Sequence, residues 1–383
     1  MIKMLTAFTE EVDDIESAVS DVIEQLGLNC LLSNSVGIVH CHSDFVDSGV
    51  VAALGERLPF DVVGCSTLSA SSSGNIGQIA LAVTVLTSDD VRFSSGVSRP
   101  IGNDINGPVT ELYERLIAPM PEKPLLLMPF IPFLMNIGGD EFIEKLDSLS
   151  GCLPAFGTLA STHDIDFSRN YTFYNGKSFP SSLVLLALTG DVKPVFLSVS
   201  VAPGSILKQK AVITGMDRNI LRSVNNVSAV EYLESIGLAT DGVVSGLESM
   251  PFIVYLEDGS KLVRACVGTT EDGGAIMCGS APVNATFSIS SMSFDGVVNS
   301  TGEKVTEALS YADGRGMLMY SCSGRNWALG VKTMAEHEKV KECVRDAVPY
   351  HFVYSGGEIF PERLGDGRTV NHLQNDSLII CVL

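Results

Sequence analysis

Arg325 stands behind the small-residue turn Ser321, Cys322, Ser323, Gly324, at the end of an apolar stretch that reads as a buried strand. A guanidinium so placed suits bidentate capture of a carboxylate, and it equally suits an internal ion pair with a nearby acid. Glu358 follows Ser355, Gly356 and Gly357 at the end of a second apolar stretch, where a carboxylate can receive an ammonium group or close a turn. Parallel strands joined by a crossover present their C-terminal ends on one side of a sheet, the edge that ligands favour. On that expectation Arg325 and Glu358 form a clamp for a zwitterion.

Cys65, Ser66 and Thr67 end an earlier apolar stretch and Thr158 ends another, so their polar groups can line the same site or simply close turns. Asn371 and His372 precede the last apolar run, with the same two readings. Cys65 and Cys322 also raise a thiol-dependent hydrolase or transferase, since a thiolate beside histidine is nucleophilic. The histidines His40, His42, His163, His337, His351 and His372 are scattered, however, and no nucleophile motif of the GxSxG kind occurs. His40 and His42 share a strand face, but no CxxC or HExxH spacing completes a metal shell. DGRTVN and GTTEDGGA supply glycines without forming a phosphate loop or dinucleotide fingerprint. No cofactor or metal is implied.

The elements that must position these groups repeat. LPFDVVGCSTLSA from Leu58, LPAFGTLAST from Leu153 and VPYHFVYSGGEIF from Val348 each run from proline through an apolar strand into a small-residue turn. Each is preceded by an apolar strand (from Val36, Pro124 and Gly316) and a helical stretch, and followed by another strand (from Gln78, Ser182 and Ser377). Strand, helix, strand implies parallel pairing, and the short connection that follows permits an antiparallel strand. The expected class is α/β, with mixed sheets flanked by helices; a four-layer αββα arrangement is the alternative. Ahead of the first copy, Val12, Ile15, Val19, Val22 and Leu26 recur at helical spacing, with Thr9 as the expected cap and Gly27 as the stop.

A chain of 383 residues exceeds what one core usually organises, and a boundary at about residue 215 gives two units, 1–215 with two copies and 216–383 with the third. The strands from Pro251, Leu262 and Ala275 form a meander in the second unit. A hydrophobic share of 45% and a single tryptophan, Trp327, describe a globular chain. The formal charge of −20 disfavours nucleic acid and anionic membrane surfaces. Nine cysteines without framework spacing read as reduced, and the longest apolar run holds two prolines, so a cytoplasmic location without membrane insertion is expected.

Taken in order, GCST from Gly64, NNVSAVEYL from Asn225, SCSGR from Ser321, SGGEI from Ser355 and NHLQNDSL from Asn371 resemble the FIST family over nearly the whole chain, an amino-terminal FIST domain followed by a carboxy-terminal one. The resemblance implies a sensory domain that binds a small ligand, amino acids among the suggested classes, and that occurs alone or beside bacterial signalling modules. No kinase, methyl-accepting or diguanylate-cyclase segment is read here, so output is expected to pass to a partner such as a histidine kinase or chemotaxis-type receptor. A pure protein–protein interaction module is the remaining alternative.

Overall fold

The computed structural model describes residues 1–163, 168–240, 243–244 and 247–383, without the side chains of 203, 240, 243, 244 and 248. In the first copy, strand Asn34–Cys41 leads through helix Val50–Arg57 to strand Asp61–Ser66, which lies parallel to it, while Leu81–Ser88 returns antiparallel on its other side. The second copy repeats this with Leu126–Ile131, helix Gly139–Ser150, Gly157–Leu159 and Val184–Gly190. The third uses Met317–Cys322, helix Ala335–Val344, Tyr350–Ser355 and Leu378–Val382. The leading strands are apolar at nearly every position because both faces of these sheets are covered.

One further strand extends each sheet beyond its returning strand: Lys3–Thr9, Val91–Val97 and Val195–Val199. At the opposite edge the sheets exchange hairpins. The hairpin Ala70–Ser72/Asn75–Gly77 of the first copy pairs with strand Tyr350–Ser355 of the third. The hairpin Thr172–Tyr174/Lys177–Phe179 of the second copy pairs with the first, and Glu358–Arg363/Thr369–Gln374 of the third pairs with Gly157–Leu159 of the second. The two units expected to divide at about residue 215 therefore share hydrogen-bonded sheets, since strands on both sides of that point pair with one another.

The inner faces of all three sheets meet in one core, to which Ile38, Phe130 and Tyr320 contribute from the three leading strands. The outer faces carry helix pairs, Ile15–Leu26 with Val50–Arg57, Asn106–Leu116 with Gly139–Ser150, and Phe294–Ala312 with Ala335–Val344. This is an α/β fold of mixed sheets around a common centre, rather than four stacked layers. A separate antiparallel sheet, with helix Ala229–Ser235 packed against it, is inserted between residues 211 and 289 and has its own core. The expected meander is split into two hairpins, Phe252–Tyr255/Lys261–Arg264 and Cys266–Thr269/Ala275–Met277, which lie at opposite ends of this sheet because the middle strand breaks at Ala265.

Thr9 ends the first strand and does not cap the helix that follows it. Asp14 takes that role, its Oδ1 accepting from Ser17 N at 3.0 Å, and Gly27 stops the helix in the left-handed region at φ 56°. Two motif glycines have a packing reason. A Cβ on Gly64 would lie 1.8 Å from Val39 O, and one on Gly157 would lie 2.1 Å from Pro129 O, so both positions exclude any larger residue.

Candidate ligand groove

The turns that end the three motif strands converge. Ser161 N donates to Ser66 O at 3.0 Å, Thr67 Oγ1 to Tyr354 O at 2.6 Å, Ser161 Oγ to the same carbonyl at 3.1 Å, and Gly356 N to Leu159 O at 3.0 Å. These bonds stitch the copies together and occupy the groups that make them. Ser66 Oγ accepts from Tyr171 N, and a Cβ on Gly356 would lie 2.6 Å from Ala160 O, so the convergence is a closed junction and not a cavity. At the centre of the core the rings of His40, Phe130 and Tyr320, one from each leading strand, pack together, and His40 Nδ1 bonds His351 Nε2 at 2.8 Å. His40 thus faces the core, and the HxH sequence is a packing feature.

Arg325 and Glu358 do not form a clamp, because each is satisfied within the protein. The Arg325 guanidinium, 1% exposed, donates from Nη2 to Glu336 Oε1 at 2.8 Å and to Thr301 Oγ1 at 2.8 Å. Glu336 is fully buried on the 335–344 helix, and its Oε2 accepts from Ser321 Oγ at 3.0 Å and Tyr354 OH at 2.9 Å. The Glu358 carboxyl accepts from Ser355 Oγ at 2.5 Å and Ser377 Oγ at 2.8 Å, and burial holds it well above the usual carboxylate range. Gly357 packs beside Asn375, whose Nδ2 would stand 3.1 Å from an added Cβ. The Cys322 and Cys65 thiols are buried and pushed upward, chiefly by that burial, which removes the thiolate a nucleophile requires.

Asn371 and His372 lie elsewhere, in a groove of about 540 Å³ where the inserted sheet meets the second copy. One wall is the 139–150 helix, which places Asp140, Glu144 and Asp147 along a single face; the other comes from strand Lys261–Arg264 and the 280–282 segment, with strand Thr369–Gln374 also lining it. Asn371 is a brace: its Nδ2 donates to Asp147 Oδ1 at 2.6 Å and to Leu153 O at 2.8 Å, and its Oδ1 accepts from Ala155 N. His372 is 8% exposed, its Nε2 lacks a hydrogen-bond partner, and burial followed by the nearby Arg264 charge lowers its pKa.

Arg264 is the unusual member. It is 3% exposed and donates only to main-chain carbonyls: Nε to Ser280 O at 2.7 Å, and Nη1 to Leu373 O at 2.7 Å and Val263 O at 3.2 Å. Among the described residues no acidic side chain forms an ion pair with it, and no hydrogen bond leaves Nη2. Burial lowers its pKa from the ordinary arginine value, opposed by the Asp140 charge nearby. Asp140 Oδ2 accepts from Ser280 N at 2.8 Å and from Ser280 Oγ, whereas Oδ1 is buried without a hydrogen-bond partner. Asp147 is pushed up to about 6 by burial, with Asn371 acting against the shift, and Glu144 is raised by burial and by its acidic neighbours. Sequence reasoning missed Arg264 because an arginine ending the strand KLVR reads as a solvent-facing residue.

The groove thus sets a buried arginine, without an ion pair among the described residues, opposite a wall of carboxylates in an α/β fold. The chain belongs to the FIST family: the FIST N domain matches residues 35–227 and the FIST C domain residues 229–361. FIST domains are sensory domains of signal-transduction proteins. No curated protein matches the chain. Among solved structures, a cyanuric acid hydrolase from A. caulinodans is similar at 10% identity, covering 100% of this chain and 98% of its own, with a TM-score of 0.32. T. maritima PurL complexed with ATP is similar at 10% identity over 99% of this chain and 70% of its own, with a TM-score of 0.20. Likenesses at that level carry no argument about fold or activity. No helix among the described residues is long and apolar enough to cross a membrane.

Proposed function

We propose that the protein senses a small zwitterion, an amino acid or related carboxylate, in the Arg264 groove and signals through a separate partner chain such as a histidine kinase or chemotaxis-type receptor. The observation that carries this reading is the buried Arg264 guanidinium, which has carbonyl acceptors but no ion pair among the described residues and opens on a groove whose far wall is acidic. A ligand carboxylate supplies the missing anion, in the bidentate geometry that arginine favours. The ligand ammonium is received by Asp140 Oδ1, which has no hydrogen-bond partner in the groove wall. A ligand that joins the two walls binds their closed arrangement more tightly and shifts the population toward it.

The test is thermal stability with a panel of amino acids. A ligand at a hundredfold excess over its dissociation constant adds about 2.7 kcal/mol. Arg264→Gln should remove that response. Because Arg264 also bonds the Leu373 carbonyl, Gly279→Ala is the second variant: its Cβ would lie 3.0 Å from Arg264 Nε and 3.2 Å from Asp140 Oδ1. No response to any amino acid, or full responses in both variants, refutes the reading.

A further inference from the structure

We propose that the groove selects amino acids that carry a second cationic group, the lysine and ornithine class. This deepens the zwitterion reading above and rests on it. Three carboxylates, Asp140, Glu144 and Asp147, face one guanidinium across the groove, an excess of two negative charges. A neutral zwitterion brings one charge of each sign and leaves that excess untouched, whereas a second ammonium reduces it. Asp140, more than nine-tenths buried in the groove lining, has no hydrogen-bond partner at Oδ1, and Arg264 donates none from Nη2, so the groove holds polar atoms that a ligand would satisfy, whereas His372 Nε2 faces Glu362 at 3.8 Å.

The spacing sets the length of the ligand. Arg264 Nε and Asp140 Oδ1 both border the space left by the missing side chain of Gly279. The two side chains therefore lie close together, so that Arg264 Nη2, which donates no hydrogen bond, can take a carboxylate beside an ammonium on Asp140, as the head group of an α-amino acid requires. From Asp140 the acidic face continues to Glu144 one turn on and to Asp147 nearly two turns on, a rise of about 10 Å. A side chain of four methylenes reaches on the order of 6 Å from its α-carbon at about 1.5 Å per bond, which brings its ammonium level with Glu144 and within about 5 Å of the level of Asp147. Ile143, Leu256 and Leu262 line the groove and offer an apolar bed for the methylenes. An acidic side chain would meet the same carboxylates and be repelled.

Calorimetric titration of the full chain at pH 7.5 with lysine, ornithine, norleucine and glutamate tests the proposal; norleucine keeps the methylene chain and lacks the terminal ammonium. Lysine and ornithine should bind at least tenfold tighter than norleucine, with glutamate weakest. Asp147→Asn should shrink the lysine preference severalfold while norleucine affinity stays within about twofold, and the unliganded melting curve of the variant confirms that it folds. Norleucine binding as tightly as lysine, or a preference unchanged in Asp147→Asn, overturns the proposal and leaves the zwitterion site standing. Absence of binding by all four overturns both.

Discussion

Replacing Glu336 by alanine tests whether Arg325 is a structural cation. The change leaves a guanidinium that is 1% exposed with only neutral partners, the hydroxyls of Thr301 and Ser300 and the carbonyls of Val297 and Ser200. It also strips the acceptor from the Ser321 and Tyr354 hydroxyls. Breaking one side of a buried ion pair costs about 3–5 kcal/mol, and each orphaned buried hydroxyl about 1–3 kcal/mol, although neighbouring losses are not additive. A net loss of about 4 kcal/mol is large against a typical total of 5–15 kcal/mol. Urea denaturation read by far-ultraviolet circular dichroism measures it. Because an apolar pair of similar volume is often neutral or better, Arg325→Met combined with Glu336→Leu should recover most of the loss. A Glu336→Ala cost below about 1 kcal/mol refutes the argument, as does an Arg325→Met variant of normal stability that no longer responds to ligand.

Asp147 has a folded pKa of about 6, raised above its unfolded value, so its contribution is most favourable below the unfolded pKa and is lost as pH rises through about 4 to 6. Asp147→Asn should therefore raise stability by about 1–2 kcal/mol at pH 7.5 after allowing for solvent screening, and leave it unchanged near pH 4; equal gains at both pH values would contradict this. His337, bonded to Ser69 and Ser71, and His351, bonded to His40 and Thr84, are each held down near 3 by burial. Their stabilising effect is complete above the unfolded value and falls as pH drops from about 6.5 toward 3, by about 1.4 kcal/mol per pH unit for each, which acid titration of the melting temperature measures. A thiol probe should label the exposed Cys30 and Cys152 well before Cys65 or Cys322; rapid labelling of Cys322 would revive the nucleophile reading.

The triplicated order of strand, helix, strand and returning strand was legible because each copy is a local run with its own apolar period. Hairpin exchange was not legible, since Ala70–Ser72 is three residues long and its partner Phe352 lies far along the chain, beyond any local pattern. For the same reason the strand ends meet on one side of the fold, as the crossover rule implies, yet their meeting point is closed. Ser161 and Thr67 fill that space with bonds to carbonyls of other copies, which no side-chain type announces. Arg325 stands out in the sequence by the small-residue turn before it, whereas Arg264 ends the strand Lys261–Arg264 without such a turn. In the structure the distinction rests on partners: Arg325 has a carboxylate, and Arg264 has carbonyls alone.

The groove is tied to the rest of the molecule by backbone mimicry. Gln374 Oε1 accepts from Val263 N at 2.8 Å and its Nε2 donates to Lys261 O at 2.9 Å, so one side-chain amide serves the edge of the inserted sheet as a neighbouring strand would. Gln374 belongs to the hairpin that the third copy lends to the sheet of the second, whose helix carries the three acids. A ligand held between Arg264 and that helix therefore engages the inserted sheet and the second copy directly, and the third through the hairpin. Gln374→Ala keeps every ligand-facing charge but removes two of the bonds that hold the insert edge, leaving those made by Leu373 and Asn375. It should weaken amino-acid binding several-fold by enlarging the set of wall separations the ligand must select from, while the melting temperature falls by the equivalent of about 1–2 kcal/mol for two lost hydrogen bonds. Unchanged affinity at that loss of stability would show that the insert is positioned without Gln374 and that the wall separation does not depend on this contact.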